Sequence, residues 1–291
     1  MQQIERGIFY DIAYLGVTLG GLVYPHGTIM IDAPLRPEDA RSWRSALLNQ
    51  RGGANRLLVN LDAHPDRTLG DRVLDSTIIT HQKAAQVFRN RPTIFKGQTV
   101  ETGAAWEAYP DAIGMRWANP DITFVTQMSL HWGGPEVLVE YHPGPAPGAS
   151  WVTIPDSKVA FVGDAVVVDQ PPFLAHAYLP EWLETLDLLE SNYTDYLIVS
   201  GRGGPATSEG VRKLHDFLEQ VSLSLKELAE RNAAVEEVEN LAIALLEEFP
   251  SDHEKGEVFL DRLRFGLRQY YTRQYRSGTA QETIEIEEEE E

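Results

Sequence analysis

The sequence predicts a four-layer αββα protein of the α/β (α+β) class, in which two β-sheets lie between layers of helices and a helical appendage follows. Three observations support this fold class. Short apolar segments rich in Val, Ile and Phe alternate with segments of helical periodicity up to Ala206. Turn residues separate most of the apolar segments. After Thr207 the strand-like segments end, and only helical periodicity remains.

Apolar segments bounded by turn residues predict the strands. They cover residues 8–17, 22–32, 56–61, 76–80, 121–130, 136–141, 150–155, 158–163 and 196–200. The segment 37–50 is predicted to be a helix, because Pro37 and two acidic residues occupy its first turn. The segment 82–91, directly after His81, also has helical periodicity.

The region after Thr207 is predicted to contain three helices, at 208–231, 234–249 and about 252–276. Apolar residues of the first of these helices recur on one face, at Leu214, Leu218, Val221, Leu225 and Leu228. Pro250 ends the second helix, and the polar residues after it can cap the third. The patterns divide the chain into a sheet domain (1–207), a C-terminal helical region (208–276) and an acidic tail (277–291).

The chain is acidic, with 25 basic and 44 acidic residues and a formal net charge of −19. Seven glutamates lie in the tail, and without them the chain still carries −12. Such a charge repels nucleic-acid phosphates and anionic membranes, so we expect neither as a partner. Because the chain contains no cysteine, disulfides, thiolate metal sites and cysteine nucleophiles are excluded.

The sequence also indicates the cellular compartment in which the protein is expected. Residues 1–6 lack the basic start and the apolar run of a signal peptide. No stretch of the chain approaches the apolar length of a membrane span. We therefore expect a cytoplasmic protein.

Two segments are candidates for protein contacts. The acidic tail is predicted to be a disordered solubilising end, with a docking peptide for a basic partner as the alternative. Residues 265–276 are basic and aromatic, which suits either a packed helix with exposed arginines or a dimer or partner surface. The partners left open are a second copy of the chain and a protein that binds the C-terminal helices or the tail.

Residues 60–70 read Asn-Leu-Asp-Ala-His-Pro-Asp-Arg-Thr-Leu-Gly. This stretch resembles the signature loop of the metallo-β-lactamase superfamily, His-x-His-x-Asp-His. Its four ligand positions fall on Asp62, His64, Asp66 and Arg67.

Four further segments resemble the same family in the right order. They are Gly27–Ala33, similar to the early strand ending in Ile-Asp-Thr-Gly; Pro143–Gly148, similar to Pro-Gly-His-Thr-Pro-Gly with Pro145 at the His; Lys158–Asp164, similar to the strand ending in Gly-Asp; and Leu197–Pro205, similar to the strand ending in Pro-Gly-His-Gly with Arg202 at the His. The resemblance covers about residues 4–212 and implies the metallo-β-lactamase sandwich.

The resemblance also implies which residues stand at the family's metal-ligand positions. They are Asp62, His64, Pro145, Asp66, Arg67, Asp164 and Arg202. Only His64, Asp66 and Asp164 keep the family's residue type, and an arginine has no lone pair to offer a cation. A catalytic zinc needs three protein ligands, and neither family site reaches three of its usual ones. We therefore expect a degenerate, metal-free and non-hydrolytic site without cofactor, on a protein that acts as a binding or assembly scaffold.

The two arginines suggest what replaces the metals. Without divalent cations, Asp62, Asp66 and Asp164 would repel one another where the loops converge. Arg67 and Arg202 bring permanent positive charges to the same place and can hold carboxylates bidentately. We expect Arg–Asp pairs in the position of the metals. The alternative is a drifted loop whose arginines face solvent.

The alternative hypothesis is that the protein is an enzyme with a single metal ion. His142 lies three residues before Pro145 and, with Asp62, His64 and Asp164, would form a set able to hold one zinc, iron or manganese ion. Such a centre would make the protein a metal-dependent hydrolase of an ester, thioester or lactone. By the same resemblance His81 is expected to be structural.

Overall fold

A computed structural model of the protein describes residues 1–97, 107, 109–249 and 253–276. The strands are Gln2–Glu5 (β1), Ile8–Asp11 (β2), Leu19–Tyr24 (β3), Gly27–Ile31 (β4), Asn55–Val59 (β5), Thr77–His81 (β6), Ile122–Phe124 (β7), Gln127–Leu130 (β8), Val137–Tyr141 (β9), Ser150–Ile154 (β10), Val159–Phe161 (β11), Leu197–Val199 (β12) and Pro205–Ala206 (β13). The α-helices are Pro37–Leu48 (α1), Pro65–Thr68 (α2), Asp71–Leu74 (α3), Gln82–Asn90 (α4), Leu179–Asn192 (α5), Ser208–Glu230 (α6), Val235–Leu246 (α7) and His253–Tyr271 (α8). A 3-10 turn, Gly163–Ala165, follows β11, and a π-helical turn, Thr272–Arg276, follows α8.

The strands form two mixed sheets. The first has the order β1-β2-β3-β4-β5-β6-β7 and is antiparallel up to β4 and parallel from β4 to β7. The second has the order β13-β12-β11-β10-β9-β8, in which only β11 and β12 are parallel. The chain crosses from the first sheet to the second at the turn between β7 and β8.

Three apolar cores give the molecule its four layers. Residues of both sheets, such as Ile31 and Val152, share the central core between the sheets. Helix α1 covers the outer face of the first sheet, where Trp43 is fully buried. Helices α5 to α8 cover the second sheet in one continuous core that includes Trp151 and Trp182. The predicted αββα sandwich with C-terminal helices is confirmed.

Three of the predicted strands are wrong in extent. Residues 22–32 form two antiparallel strands, because Pro25 has no backbone donor and a turn follows β3. Residues 121–130 also form two strands, and these belong to different sheets. The strand predicted at 8–17 ends at Asp11, and a loop follows it.

The predicted helices lie close to observed ones, but α5 was absent from the prediction. Its buried Trp182, Leu186 and Leu189 have the spacing of one helical face and would have predicted it. In the C-terminal region, α6 begins after Thr207, whose hydroxyl accepts a hydrogen bond from the backbone N of Gly210 at 3.1 Å. The predicted disordered tail lies outside the described residues. No helix within the described ranges is long and apolar enough to cross a membrane.

Candidate functional site

The motif residues follow the ends of parallel strands in both sheets. Asp32 directly follows β4, and Asp62 lies just beyond the end of β5. In the second sheet, Asp164 lies in the 3-10 turn after β11, and Arg202 lies just beyond β12. Gly201 permits their close approach, because a Cβ at this position would lie 2.3 Å from Oδ1 of Asp164. The strand ends therefore bring carboxylates and a guanidinium to one edge of the sandwich.

Arg67, in the one-turn helix α2, lies at the centre of the site and its side chain has no exposed surface. Its Nη1 donates to Oδ2 of Asp32 at 2.7 Å, and its Nη2 donates to Oδ1 of Asp164 at 2.5 Å. Its Nε lies 3.1 Å from Oδ1 of Asp62, an ion pair without hydrogen-bond geometry. One planar guanidinium therefore holds carboxylates from both sheets.

Asp32 is aimed into the site by an unusual backbone conformation. Its φ is +58°, in the left-handed region that few residues other than glycine adopt and that Asp tolerates. Its Oδ1 accepts a hydrogen bond from the backbone N of Leu61 at 2.9 Å, which fixes the carboxylate between the ends of β4 and β5. Burial raises the pKa of Asp32 to about 7, although Arg67 acts to lower it.

Arg202 forms the second half of the ion-pair cluster. Its Nη1 donates to Oδ2 of Asp66 at 2.6 Å and to the carbonyl oxygen of Gly16 at 3.1 Å. Its Nε and Nη2 both donate to Oδ2 of Asp164, at 3.2 and 3.1 Å. Asp164 thus bridges the two guanidiniums. Burial acts to raise the pKa of Asp164, but Arg202 and Arg67 hold it below its usual value.

His64 is the third cation of the cluster. Its Nδ1 lies 2.6 Å from Oδ1 of Asp66, and its Nε2 lies 2.6 Å from Oε1 of Glu107. Burial alone would lower the pKa of His64, but these two carboxylates raise it to about 10. The ring is therefore an imidazolium at neutral pH, and both of its nitrogens donate. A doubly protonated ring has no lone pair for a metal.

The ion-pair cluster, which we define as Asp32, Asp62, His64, Asp66, Arg67, Glu107, Asp164 and Arg202, is shielded from solvent. His64 has the most exposed side chain of the set, at 17%. Phe173 packs against it, with its ring centroid 4.1 Å from Cζ of Arg202 and 4.9 Å from the ring of His64. The side chains of the cluster therefore have little contact with solvent.

Comparison with known proteins gives the same fold. A metallo-β-lactamase from Pontibacter korlensis has 18% identity and a TM-score of 0.57, over 75% of this chain and 97% of that chain. The metallo-β-lactamases IND-7 and DIM-1 each have 15% identity, with TM-scores of 0.57 and 0.56, over 75% of this chain and 96% of theirs. The profile described as the Metallo-beta-lactamase superfamily matches residues 63–202.

Over residues 63–202 the chain matches the model of the metallo-β-lactamase superfamily, and its fold is the metallo-β-lactamase fold. At these identities the likeness to solved structures concerns the fold alone. No curated protein matches the chain.

The structure brings six of the superfamily's seven ligand positions into the ion-pair cluster. They are Asp62, His64, Asp66, Arg67, Asp164 and Arg202. The seventh, Pro145, is buried in the loop between β9 and β10, and its ring offers no ligand atom. The expected contacts between arginines and carboxylates are present, and the alternative of solvent-facing arginines is wrong.

His142 is not brought to the other three residues of the alternative metal set. Its ring stacks on Trp151, with centroids 3.7 Å apart, and burial lowers its pKa to about 4. Among the described residues, one group of three or more potential ligands has its ligand atoms within 4.8 Å of one another, and it lies on α6: His215, Asp216 and Glu219. The stacking of His142 therefore separates it from Asp62, His64 and Asp164.

Two members of the cluster were missed by sequence reasoning. From the sequence, Asp32 was placed at the end of a strand but not in the site. Because β4 is parallel to β5, which precedes the signature loop, an Asp directly after β4 reaches the same edge of the sheet as that loop. Glu107 had no usable signal, because it belongs to no recognisable motif or periodic segment. His81 is structural as expected, with Nε2 2.7 Å from the carbonyl oxygen of Val125.

The residues present do not fit a divalent metal. The carboxylate oxygens of Asp62, Asp66 and Asp164 lie 2.5 to 3.1 Å from guanidinium nitrogens, so they are already paired with positive charges. A bound cation would have to displace a buried arginine and remove a proton from His64.

Proposed function

We propose that this chain is a superfamily member whose metal sites are replaced by ion pairs, and that it acts without metal and without hydrolysis as a binding or assembly scaffold. The observation that carries the proposal is the position of Arg67. Its fully buried guanidinium contacts Asp32, Asp62 and Asp164 at once. A permanent positive charge there performs the neutralising role of a metal, but it has no vacant coordination site and cannot activate water.

The shape of the described surface also supports a non-catalytic role. Two depressions, of about 300 and 420 Å³, share Asp75 and Ser76 among their lining residues. They adjoin the starts of β5 and β6, whereas the ion-pair cluster follows the ends of the parallel strands. A catalytic site normally gathers its reactive groups in an accessible cleft. Neither of these two depressions is lined by a residue of the ion-pair cluster.

The loop between β2 and β3 supports the binding part of the proposal. Ile12 and Leu15 are about half exposed, at 49% and 53%. The loop is anchored to the cluster edge, because the carbonyl oxygen of Gly16 accepts from Arg202 and the N of Thr18 donates to the carbonyl oxygen of Gly201. Apolar side chains on an anchored loop favour contact with another protein surface.

Metal analysis of the full-length protein tests the proposal. Protein purified without chelator and dialysed against metal-free buffer should contain well below one equivalent of zinc, iron or manganese by mass spectrometry. The same protein, incubated with each metal, should hydrolyse no ester, thioester or lactone above the rate of a buffer blank. A stoichiometric metal that disappears in His64→Ala, together with hydrolysis, would overturn the proposal and establish the hydrolase alternative.

The control variant for this experiment is His215→Ala. It disrupts the exposed group of His215, Asp216 and Glu219 on α6, which offers carboxylates and an imidazole to adventitious metal. Metal lost in His215→Ala but kept in His64→Ala lies on the surface and leaves the proposal intact. Circular dichroism of both variants checks that the fold is retained.

A further inference from the structure

The segment that covers the ion-pair cluster is held in place by the C-terminal helix. Phe173 lies between the 3-10 turn after β11 and the start of α5, and its ring contacts both Arg202 and His64. Cζ of Arg262, from α8, lies 4.1 Å from the centroid of the same ring. One aromatic ring therefore contacts a guanidinium of the cluster and a guanidinium of the C-terminal region.

Arg262 also binds the backbone of this segment. Its Nη1 donates to Oε1 of Gln170 at 2.9 Å and to the carbonyl oxygen of Pro171 at 3.2 Å. Arg262 is 8% exposed, and burial followed by the positive charge of Arg202 lowers its pKa to about 10. A buried arginine beside a second arginine costs free energy, so these contacts must compensate for it.

Two further contacts hold the same segment. Arg273, after α8, donates to the carbonyl oxygens of Ala175 and Ala177, the latter at 2.5 Å. Gly266 of α8 lies so close to Leu174 that a Cβ on the glycine would be 3.0 Å from Cβ of Leu174. The residues from Gln170 to Ala177 are thus fixed to α8 by side-chain donors at both ends and by close packing in the middle.

We propose that residues 170–177 are a cap over the ion-pair cluster and that α8 keeps this cap closed, so that the C-terminal helical region controls access to the superfamily's site position. This proposal does not depend on whether the site binds a metal, because the cap covers the cluster in either case. A partner that draws α8 away would expose Phe173 and Arg202 together. The helical region is therefore a regulatory part of the site.

Chemical labelling of arginines tests the closure. Phenylglyoxal modifies accessible guanidiniums, and peptide mass spectrometry measures the rate at each arginine. In the parent protein, Arg202 should be labelled at least ~10-fold more slowly than Arg212, whose side chain is 67% exposed, because labelling requires local opening. In Arg262→Ala the protection of Arg202 should be largely lost. Arg67, deeper in the cluster, should stay protected.

The matched control is Arg268→Ala, which removes another arginine of α8. Its Nη1 lies 3.4 Å from Oε1 of Glu239 on α7, and its guanidinium lies over Phe265 of its own helix. Its removal leaves the contacts of Arg262 with the cap in place, so Arg202 should keep its protection. If Arg262→Ala does not fold, Arg262→Met keeps the apolar stem and removes the cap hydrogen bonds. The proposal fails if Arg202 and Arg212 react equally fast in the parent. It also fails if a folded Arg262 variant protects Arg202 as well as the parent does.

Discussion

A single guanidinium, that of Arg67, lies among three buried carboxylates at the positions that resemble the superfamily's ligand motifs. Arg67 is surrounded by three carboxylates, and each of these would be an uncompensated buried charge without it. A buried ion pair contributes little net stability, because removing both charges from water costs about as much as their attraction returns. The loss of one partner is different, since the remaining charge keeps its full desolvation cost.

The first prediction concerns this asymmetry. Arg67→Ala should lower the free energy of unfolding by roughly 3–5 kcal/mol, measured by urea denaturation at pH 7. The control is Arg56→Ala, which breaks the exposed pair with Asp75 (Nη2 to Oδ2, 3.0 Å) and should cost less than about 1 kcal/mol. Equal losses in the two variants would show that Arg67 does not compensate buried charge.

The second prediction concerns pH. Asp66 and Glu107 raise the pKa of His64 to about 10, against its burial and above the unfolded value of 6.5. The stabilisation from its proton is therefore fully present below pH 6.5 and is lost as the pH rises towards 10. One titrating group changes the free energy of unfolding by at most about 1.4 kcal/mol per pH unit. Urea denaturation between pH 6.5 and 10 should show this slope.

The matched variant is His64→Gln, which keeps a hydrogen-bonding side chain but cannot take up a proton. Its stability should be lower at pH 6.5 and should fall less steeply towards pH 10. Parallel curves for the parent and the variant would contradict an imidazolium between Asp66 and Glu107.

The sequence predicted those residues of the site that lie in recognisable motifs, and it did not predict the others. Asp62, Asp66 and Asp164 were expected beside the two arginines, because family motifs place them at strand ends. The protonation of His64 could not be predicted, since it depends on Glu107, which is 43 positions away in the chain. The stacking of His142 on Trp151, which bears on the alternative metal set, could not be predicted, because it depends on side-chain packing next to β9 and β10.

At the scale of elements, His81 joins three pieces of the fold. It ends β6, and its Nδ1 caps α4 by accepting from the backbone N of Lys83 at 3.2 Å. Its Nε2 donates to the carbonyl oxygen of Val125, in the turn where the chain passes from one sheet to the other. Its ring stacks on Tyr141 at a centroid distance of 4.1 Å. Burial lowers the pKa of His81, which favours the neutral ring that both bonds require.

The third prediction follows from these contacts. His81→Phe keeps an aromatic ring but removes the cap and the bond to Val125, so it should lower the free energy of unfolding by roughly 2 kcal/mol. The exposed His131→Phe should change it by less than about 0.5 kcal/mol. Thermal and urea unfolding of both variants measure the difference. A neutral His81→Phe would mean that neither bond contributes to stability.

The elements predicted poorly share a physical cause. A period-2 apolar pattern continues from β7 into β8, at Ile122, Phe124, Met128 and Leu130, and is interrupted only at Thr126 in the turn. Only tertiary packing assigns the two strands to different sheets. By contrast, α6 was well predicted, since its buried residues repeat on one face over the whole helix.

At the scale of the whole molecule, charge is unevenly distributed along the chain. The last fifteen residues hold seven glutamates and few apolar side chains, which leaves little area to offset the ordering of that segment. The body without these glutamates still has a charge of −12.

The fourth prediction is that deletion of residues 278–291 leaves the melting temperature within about 2 °C of the parent value, because a segment with two isoleucines among many glutamates has little apolar area to bury. Differential scanning calorimetry of the two proteins measures the change. If the tail is a docking peptide, the deletion also abolishes one protein contact. A large loss of stability in the isolated truncated protein would show instead that the tail belongs to the fold.

The shared carboxylate of Asp164 has a consequence for the history of such a protein. It accepts from Arg67 and from Arg202, so neither arginine can be exchanged for a histidine without disturbing the other. Each single step back towards a metal ligand leaves buried acid groups unneutralised before a full ligand set exists to recruit a cation. The intermediates would be selected against for instability. Replacement of both arginines at once would therefore be needed to restore a set of ligands.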